Sequence, residues 1–301
     1  MKKCVVIGGG LAGLSAAVYL AGKNVKVTLI ESSPKLGGRA YSFPHPSFEQ
    51  YIDNGQHIMT GCYRHTFDFI QKINAVNEIE TQNKMRVPFA KEGGKEFFLK
   101  AGNLFYPLNL ASAILNYKAL SVRERFSVLR FFINEIIFNA NIKDDSTVLE
   151  WLKRGGQGKE EIESLWEILA VGTLNAPMDK TSASLFRHIL RELFLSGSGA
   201  SKIVIPKNSL SHTFVFNAKN FIEENGGEVL TSVKAEKIIH DGFRVKSIVT
   251  NNGIMEDFDS VISAIPLKAI KRLHFEPIRP QFILPDLENS SILSLHIKLE
   301  N

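Results

Sequence analysis

The residues best suited to chemistry lie near the N-terminus: Gly8-x-Gly10-x-x-Gly13, then Glu31, then Gly37-Gly38-Arg39. At this spacing Gly8 permits a tight turn, Gly10 lets backbone amides come close to a ligand, and Gly13 lets the following helix pack against the preceding strand. Leu11, Ala12 and Gly13 open that helix, whose N-terminus offers partial positive charge to a pyrophosphate. Glu31, 18 residues beyond Gly13, is placed to accept both hydroxyls of an adenosine ribose. Gly37 and Gly38 can bring backbone against the same ligand. Arg39 can neutralise phosphate or an electron-rich ring. The chemistry indicated is the binding of a dinucleotide.

These residues work only if the right elements hold them. Lys3 to Ile7 is a short apolar run that predicts a buried parallel strand. A helix from Leu11 to about Ala21 follows, and Val25 to Ile30 predicts a second strand. The uncharged stretch from Cys4 to Gly22 superficially matches a signal peptide or a membrane span, but its glycines would weaken either one. Residues 65–80 predict a helix with Phe67, Ile70, Ile73 and Val76 on one face. Short extended pieces at 86–89 and 97–100 precede a helix-rich block from Leu108 to about Leu195. Gly197-Ser198-Gly199 lacks the GxSxG pattern of a nucleophile elbow and reads as a flexible connection. A helix from Leu210 to about Asn225 closes at Gly226-Gly227. Strands at 228–231, 235–240, 244–250 and 261–264 follow, with turns at Asp241-Gly242 and Asn252-Gly253. Residues 291–299 alternate as a further strand would.

With Gly-Gly-Arg directly after the ribose acid, the sequence resembles the FAD-dependent amine oxidase and carotenoid-desaturase superfamily. Asp53-Asn54-Gly55-Gln56-His57 then resembles a segment of the hydroxysqualene dehydroxylases within it. Further matches occur at Leu174 to Pro177, Ala183 to Phe186 and Ser201 to Pro206. The resemblance implies FAD as cofactor and an α/β fold, with a Rossmann-type FAD-binding domain (βαβ, GxGxxG) into which a helix-rich substrate domain is inserted. It divides the chain into a first FAD-binding part (1–80), a substrate or lid domain (81–204), a second FAD-binding part (205–266) and the start of a substrate-domain sheet (267–301). The backbone near Val233 is implied to contact adenine, and Gly55, Gln56 and His57 to lie beside the flavin ring. Gln56 and His57 are the catalytic candidates. His57 could help protonate a leaving hydroxyl, while a purely structural hydrogen-bonding role is the blander reading. Asp53 reads as a loop-holding residue. The implied reaction removes an allylic hydroxyl from a long apolar isoprenoid, with an electron donor required for the flavin. The alternatives are phytoene-type desaturation, amine oxidation, and a non-catalytic FAD-fold fragment. The superfamily's later Gly-Asp closure has no match after Pro266, so the chain reads as truncated.

Composition bounds the rest. The chain has 301 residues and a 44% hydrophobic share, enough for about two domains and unlike a disordered or collagenous chain. Cys4 and Cys62 are too few for a disulfide framework or a zinc cluster. The histidines show no HxH or HxxxH spacing, so no metal site is expected. A net charge of +5 is too diffuse for nucleic acid but suits an anionic membrane surface. The expected setting is cytoplasmic, with room for peripheral membrane contact. Phe126, Leu129, Phe132, Ile133, Ile136 and Ile137 recur at helical spacing beside Arg123, Arg125 and Arg130. They read either as a core-facing stripe or as the wall of a lipid-binding cavity or membrane-contacting lid.

Overall fold

The structure, a computed structural model, describes residues 1–91, 93–138, 146–277 and 292–298. It is organised around a four-stranded parallel sheet. β1 (Lys3–Ile7) runs beside β2 (Lys26–Glu31), with α1 (Leu11–Ala21) crossing between them. β3 (Glu228–Thr231) adds outside β2 and β4 (Ser260–Ser263) outside β1, giving the order β3-β2-β1-β4. Val5 sits opposite Thr28 on one side and Val261 on the other. Central parallel strands are buried on both faces, which is why β1 is an unbroken apolar run rather than an alternating one.

The two faces of this sheet meet different partners. Cys4, Val6, Val27 and Leu29 point into a core with Leu14, Ala17 and Val18 of α1 and with Phe214, Ala218 and Ile222. These last belong to the predicted 210–225 helix, which forms as Ser211–Phe216 and Asn217–Glu224. Val5, Ile7 and Ile30 point the other way, onto Val233, Ile238 and Ile248. That layer is a second sheet, in which Val245–Thr250 pairs antiparallel with Gly253–Met255 and Ala235–His240, and the latter runs parallel to His274–Glu276.

The 81–204 region builds a separate core. A hairpin of Arg86–Lys91 and Lys95–Lys100 packs with helices Leu108–Leu115, Val122–Phe131, Val148–Arg154, Glu167–Leu174 and Ala183–Leu195. Phe131 stands 4.9 Å from the Trp151 ring and 5.3 Å from that of Trp166. The polar edges of the buried aromatics are satisfied: Trp166 Nε1 donates to Gln157 Oε1 at 2.7 Å, and the Tyr117 hydroxyl donates to the Ser164 carbonyl at 2.7 Å. Capping boxes at Ser121/Glu124 and Thr147/Glu150 fix two of the helix starts.

Three expectations are corrected. The helix after the Asp53 segment covers Arg64–Lys72, not 65–80, because Asn74 adopts a left-handed φ of 57° and Val76 is turned to solvent. Gly197-Ser198-Gly199 is not a loose link: a Cβ at Gly61 would run into the Gly199 carbonyl, and Cys62 N donates to Ala200 O at 3.0 Å. Residues 292–298 form no strand, since no neighbouring strand pairs with them among the described residues. Positions 291 and 299 of that expected strand lie outside the described residues.

Candidate functional site

β1 ends at Ile7, and Gly8 turns the chain with φ 107°, a conformation that side-chain-bearing residues rarely adopt. A Cβ at Gly13 would run into the Gly8 carbonyl oxygen, so only glycine lets α1 start this close to the strand. The helix begins at Gly10 with no side-chain cap and no acid in its first turn. The amides of Leu11, Ala12 and Gly13 therefore have neither a carbonyl of their own helix nor a capping side chain to satisfy them. Above Gly10 the space is open, the nearest atom to a Cβ there being Gly38 Cα at 4.0 Å. An opening faced by the first amides of a helix fits a pyrophosphate.

Glu31, at the end of β2, reaches back to this turn. One carboxylate oxygen accepts from Gly9 N at 2.6 Å, and the other from Ser33 N at 2.7 Å and from Ser32 Oγ at 3.1 Å. The oxygen that accepts from Gly9 N keeps a lone pair for a ribose hydroxyl. Gly9 is a functional glycine that the GxGxxG spacing does not single out. A Cβ there would meet Leu36 Cδ2 at 2.6 Å and Glu31 Cβ at 2.9 Å, pushing the carboxylate away from the turn.

The second glycine pair joins the first. Gly37 N donates to Gly9 O at 2.8 Å, and Gly37 and Gly38 both take positive φ, of 97° and 61°. Their immediate task is to lay one loop on the other, and Arg39 is left exposed beside them. From there the contacts continue to the Asp53 segment: Asn54 N donates to Tyr41 O at 2.9 Å, and Asn54 Nδ2 to Arg39 O at 3.3 Å. Asp53 Oδ1 accepts from Ser42 Oγ at 2.6 Å and from Leu210 N at 2.9 Å. Ser42 and Ser211 each donate a backbone amide to the other's hydroxyl, at 2.8 and 2.9 Å. Asp53 is thus a loop-holding residue, and this serine pair, 169 residues apart in sequence, gave no spacing signal.

Gly55 is half-buried, whereas Gln56 and His57 are exposed on the turn that follows. His57 Nδ1 lies 2.7 Å from Gly55 O, a contact that requires the proton on Nδ1 and leaves Nε2 free toward solvent. At the opposite end, Val233 is buried and its amide donates to Glu31 O at 2.9 Å, while Ser232 N donates to Ser33 O at 3.0 Å. The Val233 N–H is therefore already engaged within the chain. The proposed residues fall along one track: Val233, Glu31, Gly9 and Gly10, Gly38 and Arg39, then Asn54 to His57.

A cavity of about 230 Å³ lies in the helical region. Among the residues facing it are Met85, Leu110, Val128, Leu129, Phe132, Trp166 and Phe194. Among the described residues no charged side chain lines it. Of the helical stripe read from the sequence, Leu129, Phe132, Ile133 and Ile137 face the cavity, the last two while partly exposed, Ile136 is buried, and Phe126 is exposed. Neither simple reading of the stripe holds in full. Arg125 anchors the helix by donating to the Leu115 and Leu120 carbonyls, at 3.1 and 2.8 Å. Among the described residues no group of His, Cys, Asp and Glu is arranged to hold a metal ion, and no helix is long and apolar enough to cross a membrane.

Comparison with known proteins bears on the fold and the cofactor. The family model described as flavin containing amine oxidoreductase matches residues 11–298. Hydroxysqualene dehydroxylase of Zymomonas mobilis is 25% identical over 305 residues, covering 98% of this chain and 68% of that protein. Zeta-carotene desaturase of Zea mays is 25% identical, covering 90% of this chain and 50% of its own length. The chain thus spans between half and about two thirds of these relatives. Among solved structures, an oxidoreductase from Methanosarcina mazei superposes with a TM-score of 0.66 at 22% identity, covering 90% of this chain and 61% of that one. Cyclohexylamine oxidase from Brevibacterium oxydans superposes at 0.59 with 19% identity, covering 93% and 61%. The fold is the FAD-binding α/β fold, and FAD is the cofactor.

Proposed function

Because the chain belongs to the flavin-containing amine oxidoreductase family, we propose that it works on a long apolar isoprenoid, removing the allylic hydroxyl of hydroxysqualene to give squalene. The observation that carries this reading is the turn from Asp53 to His57, pinned by Ser42 and Leu210 next to the Arg39–Tyr41 segment and presenting an exposed imidazole. The apolar cavity and the similarity to hydroxysqualene dehydroxylase support it.

In this reading the C–O bond breaks, the hydroxyl departs as water after taking up a proton, and the carbon gains a hydride. Reduced FAD supplies the hydride when bound, and an external donor renews its electrons. Leu11, Ala12 and Gly13 hold the pyrophosphate by their amides, with Gly8 and Gly10 shaping the approach. Glu31 holds the ribose, and the Val233 backbone borders the adenine. Gly37, Gly38 and Arg39 flank the phosphates, while Gly55 and Gln56 border the ring. His57, its Nδ1 proton engaged by Gly55 O, presents Nε2 to the leaving hydroxyl and delivers a proton from it when the ring is charged. The 81–204 region serves as the substrate domain, inserted between FAD-binding parts at 1–80 and 205–266.

The similarity to zeta-carotene desaturase favours one rival, oxidative desaturation of a carotenoid precursor. The deciding experiment offers hydroxysqualene with chemically reduced FAD under anaerobic conditions and, separately, phytoene with oxidised FAD, and analyses the extracts by mass spectrometry. Squalene from the first reaction is expected, and desaturated product from the second alone overturns the reading.

A further inference from the structure

Residues 292–298 meet the Asp53–His57 turn with polar atoms and leave their apolar side chains exposed. Ser294 Oγ donates to the Asn54 carbonyl at 3.3 Å, and a Cβ at Gly55 would stand only 3.2 Å from that hydroxyl, so the segment crosses directly over the turn. Two residues on, the His296 ring stands edge-on to Phe43, with the centroids 6.4 Å apart. Ser42–Phe43 pairs antiparallel with Ile52–Asp53, so both contacts fall on that hairpin and the turn that follows it. Leu293, Leu295 and Ile297, which alternate with these two residues, are 95%, 80% and 67% exposed, and Ile292 is exposed as well.

This reverses the usual arrangement, in which an alternating segment buries its apolar side and turns its polar side to water. Apolar side chains exposed singly are ordinary, but a row of them marks a surface that binds something apolar. The position of the row indicates what. In the isoprenoid reading the reacting carbon has to reach the turn that carries His57. Every residue lining the helical cavity lies between Met85 and Leu195, so the cavity and the turn have no wall in common. A hydrocarbon chain at the turn therefore needs apolar surface from another element, and the row at 293–297 lies beside it. A charged ligand would gain nothing by covering three aliphatic side chains, whereas a hydrocarbon removes both its own surface and theirs from water.

We propose that residues 292–298 form a substrate-binding strap. Ser294 and His296 fasten it to the turn, and Leu293, Leu295 and Ile297 hold the hydrocarbon chain next to the reacting carbon. The ligand class rests on the isoprenoid reading above, but uptake is measured without turnover, so either can fail alone.

The test equilibrates the 301-residue chain, loaded with FAD, with radiolabelled squalene carried by methyl-β-cyclodextrin, and counts bound squalene by equilibrium gel filtration. Leu293→Ser with Leu295→Ser should raise the half-saturating squalene concentration about tenfold or more. Phe243→Ser, which removes an equally exposed apolar side chain from the Asp241 turn, should leave it unchanged. In Leu295→Trp the added indole should shift its emission to the blue as squalene binds, once the emission of the unmodified chain titrated in the same way is subtracted. All these side chains are exposed, and unchanged far-ultraviolet circular dichroism will show that the variants fold. A double serine variant that takes up squalene undiminished overturns the proposal, as does an equal loss in Phe243→Ser, which would mark unspecific adsorption. It is equally overturned if the row instead joins two copies, so that the double serine variant turns a dimer into a monomer and no squalene is bound. Uptake of both squalene and phytoene that depends on Leu293 and Leu295, with no squalene formed from hydroxysqualene, supports the strap and discards the reaction instead.

Discussion

The glycine track and the helical cavity are built in opposite ways. The track is made of backbone: amides at Gly9, Leu11, Ala12, Gly13 and Gly37, with glycines wherever a Cβ would collide. The cavity is made of side chains, Val128, Leu129, Phe132, Trp166 and Phe194 among them, and Trp166 packs in turn on Phe131 in the helical core. A backbone site tolerates almost no change at a few positions. A side-chain site tolerates many changes at a graded loss, because neighbours relax around each one. Both tryptophans of the chain, Trp151 and Trp166, lie in the helical core. Their fluorescence therefore reports on one region, and bound-flavin absorbance on the other.

The largest expected effect is that of Gly13→Ala, which drives a methyl group into the Gly8 carbonyl. Flavin absorbance should be lost from the purified variant while tryptophan emission stays native. Loss of both signals would break the separation between the regions. Next is Phe131→Ala, which empties the space between the two tryptophan rings and should cost about 3–5 kcal/mol in urea unfolding. Its emission should move to the red while FAD is still bound.

Smaller still is Tyr117→Phe, which should cost about 1 kcal/mol for the lost bond to the Ser164 carbonyl. Burial pushes the Tyr117 phenol up from its ordinary value of 10.0 to about 12. The unfolded chain therefore releases this proton first. The phenol's contribution is intact below about pH 10 and declines as pH rises toward 12. The variant should lack that part of the alkaline loss, as urea midpoints at about pH 8 and about pH 11 will show. Identical slopes with pH in both proteins would argue against it.

The same contrast explains what could be read in advance. Gly8, Gly10, Gly13 and Glu31 were legible because one short stretch holds the whole geometry, strand, turn, helix and strand in order. The strands at 228–231 and 260–263 were legible as strands, but nothing in their composition says that they flank β2 and β1. The Gly61–Gly199 contact and the Ser42–Ser211 pair join residues more than a hundred positions apart, and local pattern carries no trace of them. The early helix end at Lys72 turns on one left-handed asparagine, a conformation that Asn tolerates without demanding it. The exposure of Phe126 and Ile133 was ambiguous because helical periodicity marks an apolar side without saying whether protein or lipid lies against it.

One residue links three segments. Glu31 accepts Gly9 and Ser33 amides through its carboxylate and the Val233 amide through its carbonyl, so the turn, the end of β2 and the start of the second sheet are fastened together within the folded chain. The ordering entropy of these loops is thereby lost during folding rather than at cofactor capture. FAD should then associate in a single, concentration-dependent kinetic phase without a slow rearrangement. The holo form should gain stability in proportion to the logarithm of free FAD, as mass action on a preorganised receptor requires.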